Sequence, residues 1–283
     1  MRRAVAVFSL ICAGMVLLGL LGAVHRAFDT VSMLRPVFGA LGLMCLFALR
    51  SAWLRRGVLA VCAWTALSVA WLMIPQSADR DLRVYSKNLW YANAQIPDIV
   101  ADIRAADPDI VVMQEVSWRN DHVLRALAQI FPHQHVCDFS AWSDIAVLSR
   151  TPFVGAGKCS SARAAAAVPI SVGGQEIWVA AVHIPWPWPE GSGRAEAAAM
   201  ALLAEIDKPV VVAGDFNIFP WSGRVQRIAR MTGTRLAGPI VPTLSLYGLP
   251  LPIDMVLAPK GGRVETRPLL GSDHRGILAD IAL

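Results

Sequence analysis

"VVVAGDFNIF" (residues 210–219) is a run of small and β-branched apolar residues interrupted by Gly214, Asp215 and Asn217. Continuous apolar runs of this kind mark strands buried on both faces. A sheet's ligand site commonly lies beyond the carboxyl ends of its strands. A carboxylate and an amide delivered there call for partners from other strands, and the chain supplies candidates in order. Asn88 closes the stretch 82–88, Glu115 lies near the end of "DIVVMQEV" (109–116), and His183 ends 175–183. Asp254 falls within 253–258, and Asp273–His274 precede the last apolar run, 276–282. Singly, each has a bland reading: Asn88 as a turn former, His183 as an interior histidine, Asp273 as a cap. Caps do not explain the same placement at strand after strand.

Between these runs the pattern alternates. Ile96, Ile99, Val100 and Ile103 recur at helical spacing after Pro97, a good first-turn residue. A second helix is expected over 119–130, an alanine-rich one over 192–206 and a fourth over 222–231. The middle is β-rich, with strands expected at 133–138, 143–149, 153–159, 165–172 and 175–183. Gly173–Gly174 form a hairpin turn between the last two. Short strands follow near 253–258, 263–269 and 276–282. Hairpins mixed with strand–helix alternation predict an α/β sandwich with mixed sheets.

Charge divides the chain. The 283 residues carry a formal net charge of +5. Up to Gln76 there are seven arginines and one acid, Asp29; from Ser77 onward 19 Lys/Arg face 20 Asp/Glu. The basicity belongs to the first quarter and gives no argument for a nucleic-acid partner. That quarter reads as a membrane anchor, residues 1–76, with spans at 4–24, 33–49 and 58–74, the middle one interrupted by Arg35. A cleaved signal peptide competes for the first run, but the apolar stretch exceeds a usual signal core and further spans follow. Arg2 and Arg3, with Arg50, Arg55 and Arg56, place the ends of spans one and two in the cytoplasm. This expectation puts the protein in the bacterial inner membrane, multi-pass, with residues 77–283 outside, after the polar linker "PQSADRD" (75–81). It depends on the middle span crossing. Cys137 and Cys159 flank the strand at 143–149, where an oxidising compartment permits a disulfide and spacing does not decide it.

The order "NLW", "QEV", "AVHIP", "GDFN", "PIDMVL" and "GSDHRG" resembles the successive signatures of the endonuclease/exonuclease/phosphatase superfamily, over about residues 81–283. The whole layout is similar to bacterial members with an N-terminal helical anchor. The resemblance implies a four-layer sandwich of two mixed β-sheets flanked by helices, here preceded by a three-helix transmembrane anchor. It also implies phosphoester cleavage dependent on Mg²⁺ or Mn²⁺. By motif, Glu115 would be the principal metal ligand, with Asn88 on the metal or phosphate and Asp273 supporting the metal side. His274 would be the catalytic histidine and Asp254 would orient its ring. Asp215 would position or deprotonate the attacking water, and Asn217 and His183 would hold phosphate oxygens. Carboxylate and amide oxygens suit these ions. The sequence departs from the pattern at Trp90, where an acidic residue is common, at Met255, where anchored relatives carry histidine, and at Asp144, where a small residue is usual.

The substrate stays open between nucleic acid and phospholipid. Arg224, Arg227 and Arg230 recur along the helix after GDFN, as a solvated face, a phosphate track or a contact for anionic lipid. Trp186 and Trp188 in "PWPWPE" (185–190) and Trp221 in "FPWS" (219–222) can stack on bases, meet a bilayer interface or pack together. The alternative from another class is a membrane-anchored phosphate-binding protein without turnover, against which the full set of site residues argues.

Overall fold

The computed structural model describes residues 1–75, 80–189 and 193–283. Four helices come first: α1 (Arg2–Leu18), α2 (Arg26–Met33), α3 (Arg35–Met44) and α4 (Ala52–Leu72). Then follow β1 (Leu82–Asn88), α5 (Ile96–Ala106), β2 (Ile110–Val116), α6 (His122–Leu127), β3 (His133–Cys137), β4 (Asp144–Ser149) and β5 (Lys158–Cys159). The hairpin β6 (Ala165–Val172) and β7 (Gln175–His183) precedes α7 (Gly193–Ala204), β8 (Val210–Asp215) and α8 (Gly223–Thr232). The last elements are β9 (Arg235–Gly238), β10 (Leu244–Leu246), β11 (Leu249–Leu251), β12 (Asp254–Ala258), β13 (Gly262–Thr266) and β14 (Ile277–Ile281).

Twelve strands form one mixed, hydrogen-bonded ribbon in the order β3-β4-β2-β1-β14-β13-β9-β12-β8-β7-β6-β5. The two expected sheets are thus two halves of a single sheet, joined where β9 pairs with β13 on one side and β12 on the other. The halves face each other across one apolar seam, where Val84, Val112 and Val147 meet Val168, Val179 and Val211. A second seam buries α5 and α6 on the first half, through Ile99, Ile103 and Leu127. A third buries α7 and α8 on the second half, through Ala199, Leu203, Val225 and Ile228. The strands therefore read as unbroken apolar runs because both of their faces are covered.

Cys137 and Cys159 are disulfide-bonded across a separation of 22 residues, with Cα atoms 5.6 Å apart. They lie on β3 and β5, the two end strands of the ribbon. A cross-link closing a loop of this length stabilises by about 3 kcal/mol in the chain-entropy picture.

Three expectations about elements change. The helix at 119–130 shrinks to α6, because Asn120 turns its side chain back to Ser117 N and to Glu115 O and so holds a turn instead. The strand at 153–159 is reduced to β5 and an isolated bridge from Phe153 to Ile170. The β10–β11 hairpin was not anticipated; its turn residues Tyr247 and Gly248 both have positive φ, which matches the two-residue turns favoured between antiparallel strands.

The three-helix transmembrane anchor is corrected. Among the described residues one helix, Arg2–Ala23 with its 3-10 extension, is long and apolar enough to cross a membrane, and its 22 residues equally suit a signal sequence. Within the expected middle span the α-helix runs only from Arg35 to Met44 and stops at Cys45, so that α3 has 10 residues and rises about 15 Å, half of a bilayer's hydrocarbon thickness. The 21 residues of α4 include Arg55 and Arg56 near the start. The multi-pass topology and the orientation drawn from arginine placement lose their basis with the middle span. Of the expected linker, residues 76–79 lie outside the described residues, as does Glu190 of the "PWPWPE" stretch.

Candidate active site

At the carboxyl end of β8 the chain passes through Gly214, whose φ is +140°. A Cβ there would come within 2.1 Å of Val182 O on the neighbouring strand. Only glycine fits this close approach, which sets Asp215 opposite His183 on β7 and Asp254 on β12. Gly214→Ala is expected to destabilise the fold by about 3 kcal/mol or more and to displace Asp215. A urea titration of the variant beside wild type measures the loss.

Asp215 is buried and fully engaged. Its Oδ1 accepts from Asn217 N at 2.8 Å; its Oδ2 accepts from Asn217 Nδ2 at 3.0 Å and Asn88 Nδ2 at 3.2 Å. Burial, and then the negative charge of Asp254, push its carboxyl up to about 8 against the pull of His274. Asn217 reaches this position in the left-handed conformation, φ +48°.

Glu115 sits at a register shift between β2 and β4, with φ +56°. Such bulges re-aim a side chain, and this one turns Glu115 onto the site. Its Oε1 accepts from Asn88 Nδ2 at 3.1 Å and its Oε2 from Tyr91 N at 3.0 Å. Asn88 therefore bridges Glu115 and Asp215. His183 Nε2 lies 3.7 Å from both Glu115 Oε1 and Asp215 Oδ2. Burial, followed by the charges of Arg163 and His274, lowers His183 to about 3 and leaves its ring neutral.

His274 is oriented from behind, its Nδ1 donating to Asp254 Oδ2 at 2.8 Å. Its Nε2 is 3.9 Å from Asp215 Oδ2. Burial acts to lower its pKa, but Asp254 and Asp215 outweigh it and raise the ring to about 10. The loop around it is fixed through main-chain atoms. Lys87 Nζ donates to His274 O at 2.6 Å and to Leu269 O at 2.7 Å; Ser272 Oγ accepts from His274 N at 3.0 Å and donates to Asn88 O at 2.7 Å. Asp273 is exposed on the rim, outside the group of closely facing carboxylates.

Seven of the eight expected residues thus converge, and Asp273 stands apart at the edge of the same cleft of about 550 Å³. The donor set fits a divalent cation. Glu115 and Asp215 both line the cleft and approach the same His183 Nε2, with Asp273 at the rim and Asp254 behind His274. Ligand atoms of Asp215, Asp254 and His274 also lie within 4.8 Å of one another. A cation there would compete with the His274–Asp254 hydrogen bond, so the Glu115 side is the better placed.

Sequence reasoning missed Arg163 and Trp142. Both line the cleft, with the guanidinium 4.3 Å from the centre of the indole ring, which is a cation–π contact. No motif marks them, since Arg163 lies in an alanine-rich stretch. The arginines of α8 also change meaning. Arg224 and Arg227 point inward to acids and carbonyls, while Arg230 is exposed. Trp221 packs, donating from Nε1 to Ser32 O at 2.9 Å, and Trp188 is half exposed.

Residues 85–274 match the Endonuclease/Exonuclease/phosphatase family, and the chain belongs to it. Solved structures agree on the fold. An endonuclease/exonuclease/phosphatase from Beutenbergia cavernae is 25% identical, covers 72% of this chain and 72% of its own, and has a TM-score of 0.55. A member from Bacteroides vulgatus is 19% identical over 71% of this chain and 98% of its own, with a TM-score of 0.60. Sphingomyelinase C from Streptomyces griseocarneus is 18% identical over 71% and 99%, with a TM-score of 0.51. No curated protein sequence is matched.

Proposed function

We propose that the chain is a divalent-metal-dependent phosphodiesterase held at a membrane, with residues 1–76 as the attachment region, 77–283 as the catalytic domain, and a phospholipid as substrate. The observation that carries the chemistry is the unbroken line of contacts Asp254–His274–Asp215–Asn88–Glu115 across five strand ends and loops. Mg²⁺ or Mn²⁺, held by Glu115 with Asn88 and supported by Asp273 at the rim, would neutralise charge on the phosphate. The protein's own groups do the rest. Protonated His274, fixed by Asp254, faces the cleft with Nε2 free to donate to a phosphoryl or leaving-group oxygen. Asp215 orients the attacking water and takes its proton when its own carboxyl is ionised, which a neighbouring cation would favour. Neutral His183 and the Asn217 amide hold phosphate oxygens.

The rim favours lipid over nucleic acid. Tyr247 is 97% exposed at the tip of the β10–β11 hairpin and Leu249 64%, while Leu244 and Leu246 of the same hairpin line the cleft. Trp142, which also lines the cleft, is exposed as well. Exposed apolar and aromatic groups around a cleft suit a bilayer interface. The two inward-pointing arginines are unavailable to a polyanion, and a domain of near-neutral charge offers little phosphate attraction. The N-terminal helix bundle also leaves Ile11, Trp64, Leu67 and Trp71 exposed, consistent with contact with hydrocarbon.

The test uses the full chain in detergent with vesicles of phosphatidylcholine and phosphatidylglycerol, or with single- and double-stranded DNA, with Mg²⁺ or EDTA. Metal-dependent headgroup release with weak salt dependence is expected. DNA cleavage that falls steeply with salt would replace lipid by nucleic acid, and inertness towards both in a folded protein would remove the enzymatic reading.

A further inference from the structure

The inward turn of Arg224 and Arg227 joins the N-terminal helices to the site. Asp29 is the sole acid among the first 76 residues, and on α2 it is completely buried. Its Oδ1 accepts from Arg224 N in the first turn of α8 at 3.1 Å, and its Oδ2 from Arg227 Nη2 at 2.9 Å. Gly22 and Gly223 make the slot, since a Cβ on either would come within 2.1 or 2.7 Å of Asp29 Oδ1. Arg227 Nη2 also donates to Glu196 Oε1 at 2.9 Å, and Arg224 Nη2 to Glu196 Oε2 at 3.0 Å. The other end of the Arg224 guanidinium donates to Pro185 O at 2.9 Å and Phe216 O at 3.1 Å. Phe216 stands between Asp215 and Asn217, and Pro185 lies two residues beyond His183. Two further bonds fasten the same junction: Thr30 Oγ1 to Trp188 O at 2.5 Å and Trp221 Nε1 to Ser32 O.

We propose that Asp29 is a positioning residue for the phosphodiesterase reaction, acting through Arg227 and Arg224 on the two chain segments that leave the active site. The inference rests on the reading of the site given above. Every acceptor of a buried carboxylate needs a donor, and breaking one member of such a network leaves the others uncompensated. Without Asp29, Arg227 has Glu196 alone to pair with and draws it away from Arg224. The Arg224 guanidinium then loses the anchor that aims it at Phe216 and Pro185, and Asn217 and His183 lose their common brace. The α2 helix is therefore part of the catalytic scaffold, beyond any role as a tether. A chain cut at the linker would be impaired even toward a soluble substrate.

The experiment compares full-length wild type, Asp29→Ala, Asp29→Asn and Arg230→Ala in detergent micelles with bis(p-nitrophenyl) phosphate, which needs no membrane. Misplacement of reacting groups by a fraction of an ångström to an ångström costs on the order of ten- to a hundredfold in rate. Asp29→Ala is expected to lower kcat about tenfold or more with KM within about twofold, and Asp29→Asn, which keeps an acceptor for Arg224 N, to lose less. Arg230→Ala should match wild type. Hydrogen exchange should quicken at 184–188 and 216–221 in Asp29→Ala while β2 and β6 stay protected. An unchanged kcat with unchanged exchange at those segments overturns the proposal, as does a loss confined to KM. Should Asp29→Ala not fold, Asp29→Asn decides by the same two readouts. Should wild type show no turnover, the phosphodiesterase reading fails, and the exchange pattern still decides whether Asp29 braces the two segments.

Discussion

His274→Ala is expected to reduce kcat on a phosphodiester by about a thousandfold, within the range of 10²–10⁴ usual for a general acid, and to leave the fold standing. The ring is the one group whose Nε2 faces Asp215 across 3.9 Å while Nδ1 is taken by Asp254. With its pKa raised to about 10, it carries a proton throughout the neutral range. Alanine removes the donor and leaves Asp254 buried without its cationic partner, which weakens the site locally. The loop itself is held by Lys87 on His274 O and by Ser272 on His274 N, and both bonds use main-chain atoms that alanine retains. Activity and stability should therefore separate. Steady-state rates and a thermal melt of the same preparation test this; an active variant, or one that loses rate only because it unfolds, would remove the assignment.

The site was visible in the sequence where an apolar strand ends on a polar residue. Asn88, Glu115, His183 and Asp215 could be found that way, because double-sided burial makes the strand ends abrupt, whereas Asp254 opens β12. What sequence spacing hid depends on long-range pairing. Arg224 and Arg227 sit at an ordinary helix-face spacing, and their partner Asp29 lies 195 and 198 residues away. Arg163 and Trp142 meet only because the β5–β6 and β3–β4 connections are brought together in the fold. Hydropathy also misled in the first quarter. It records that 33–49 is apolar, but not that the α-helix within it starts at Arg35 and already stops at Met44, ahead of a short 3-10 turn. The glycine of GDFN is legible as a turn residue, yet its necessity comes from Val182 O on the next strand.

Glu115→Gln is expected to abolish the response to metal, in binding as well as in rate. Glutamine preserves the shape of the side chain, but one of its two terminal atoms becomes a donor. Both carboxylate oxygens now accept, Oε1 from Asn88 and Oε2 from Tyr91 N, so either orientation of the amide sets a donor against a donor. It also removes a negative charge from the face of the cluster nearest solvent, where hard cations prefer carboxylate oxygen. At a Mn²⁺ concentration about a hundredfold above Kd, binding to the native state adds about 2.7 kcal/mol of stability. For a chain of this size that corresponds to a rise in Tm of roughly 5–10 °C. Wild type should show this rise and Glu115→Gln should not, whereas His274→Ala, which lacks the general acid but keeps the carboxylates, should retain it. A full shift in Glu115→Gln would move the cation to the Asp215–Asp254–His274 group; retention of the shift there, with its loss in His274→Ala, would identify the histidine as a ligand and withdraw the general-acid role from it.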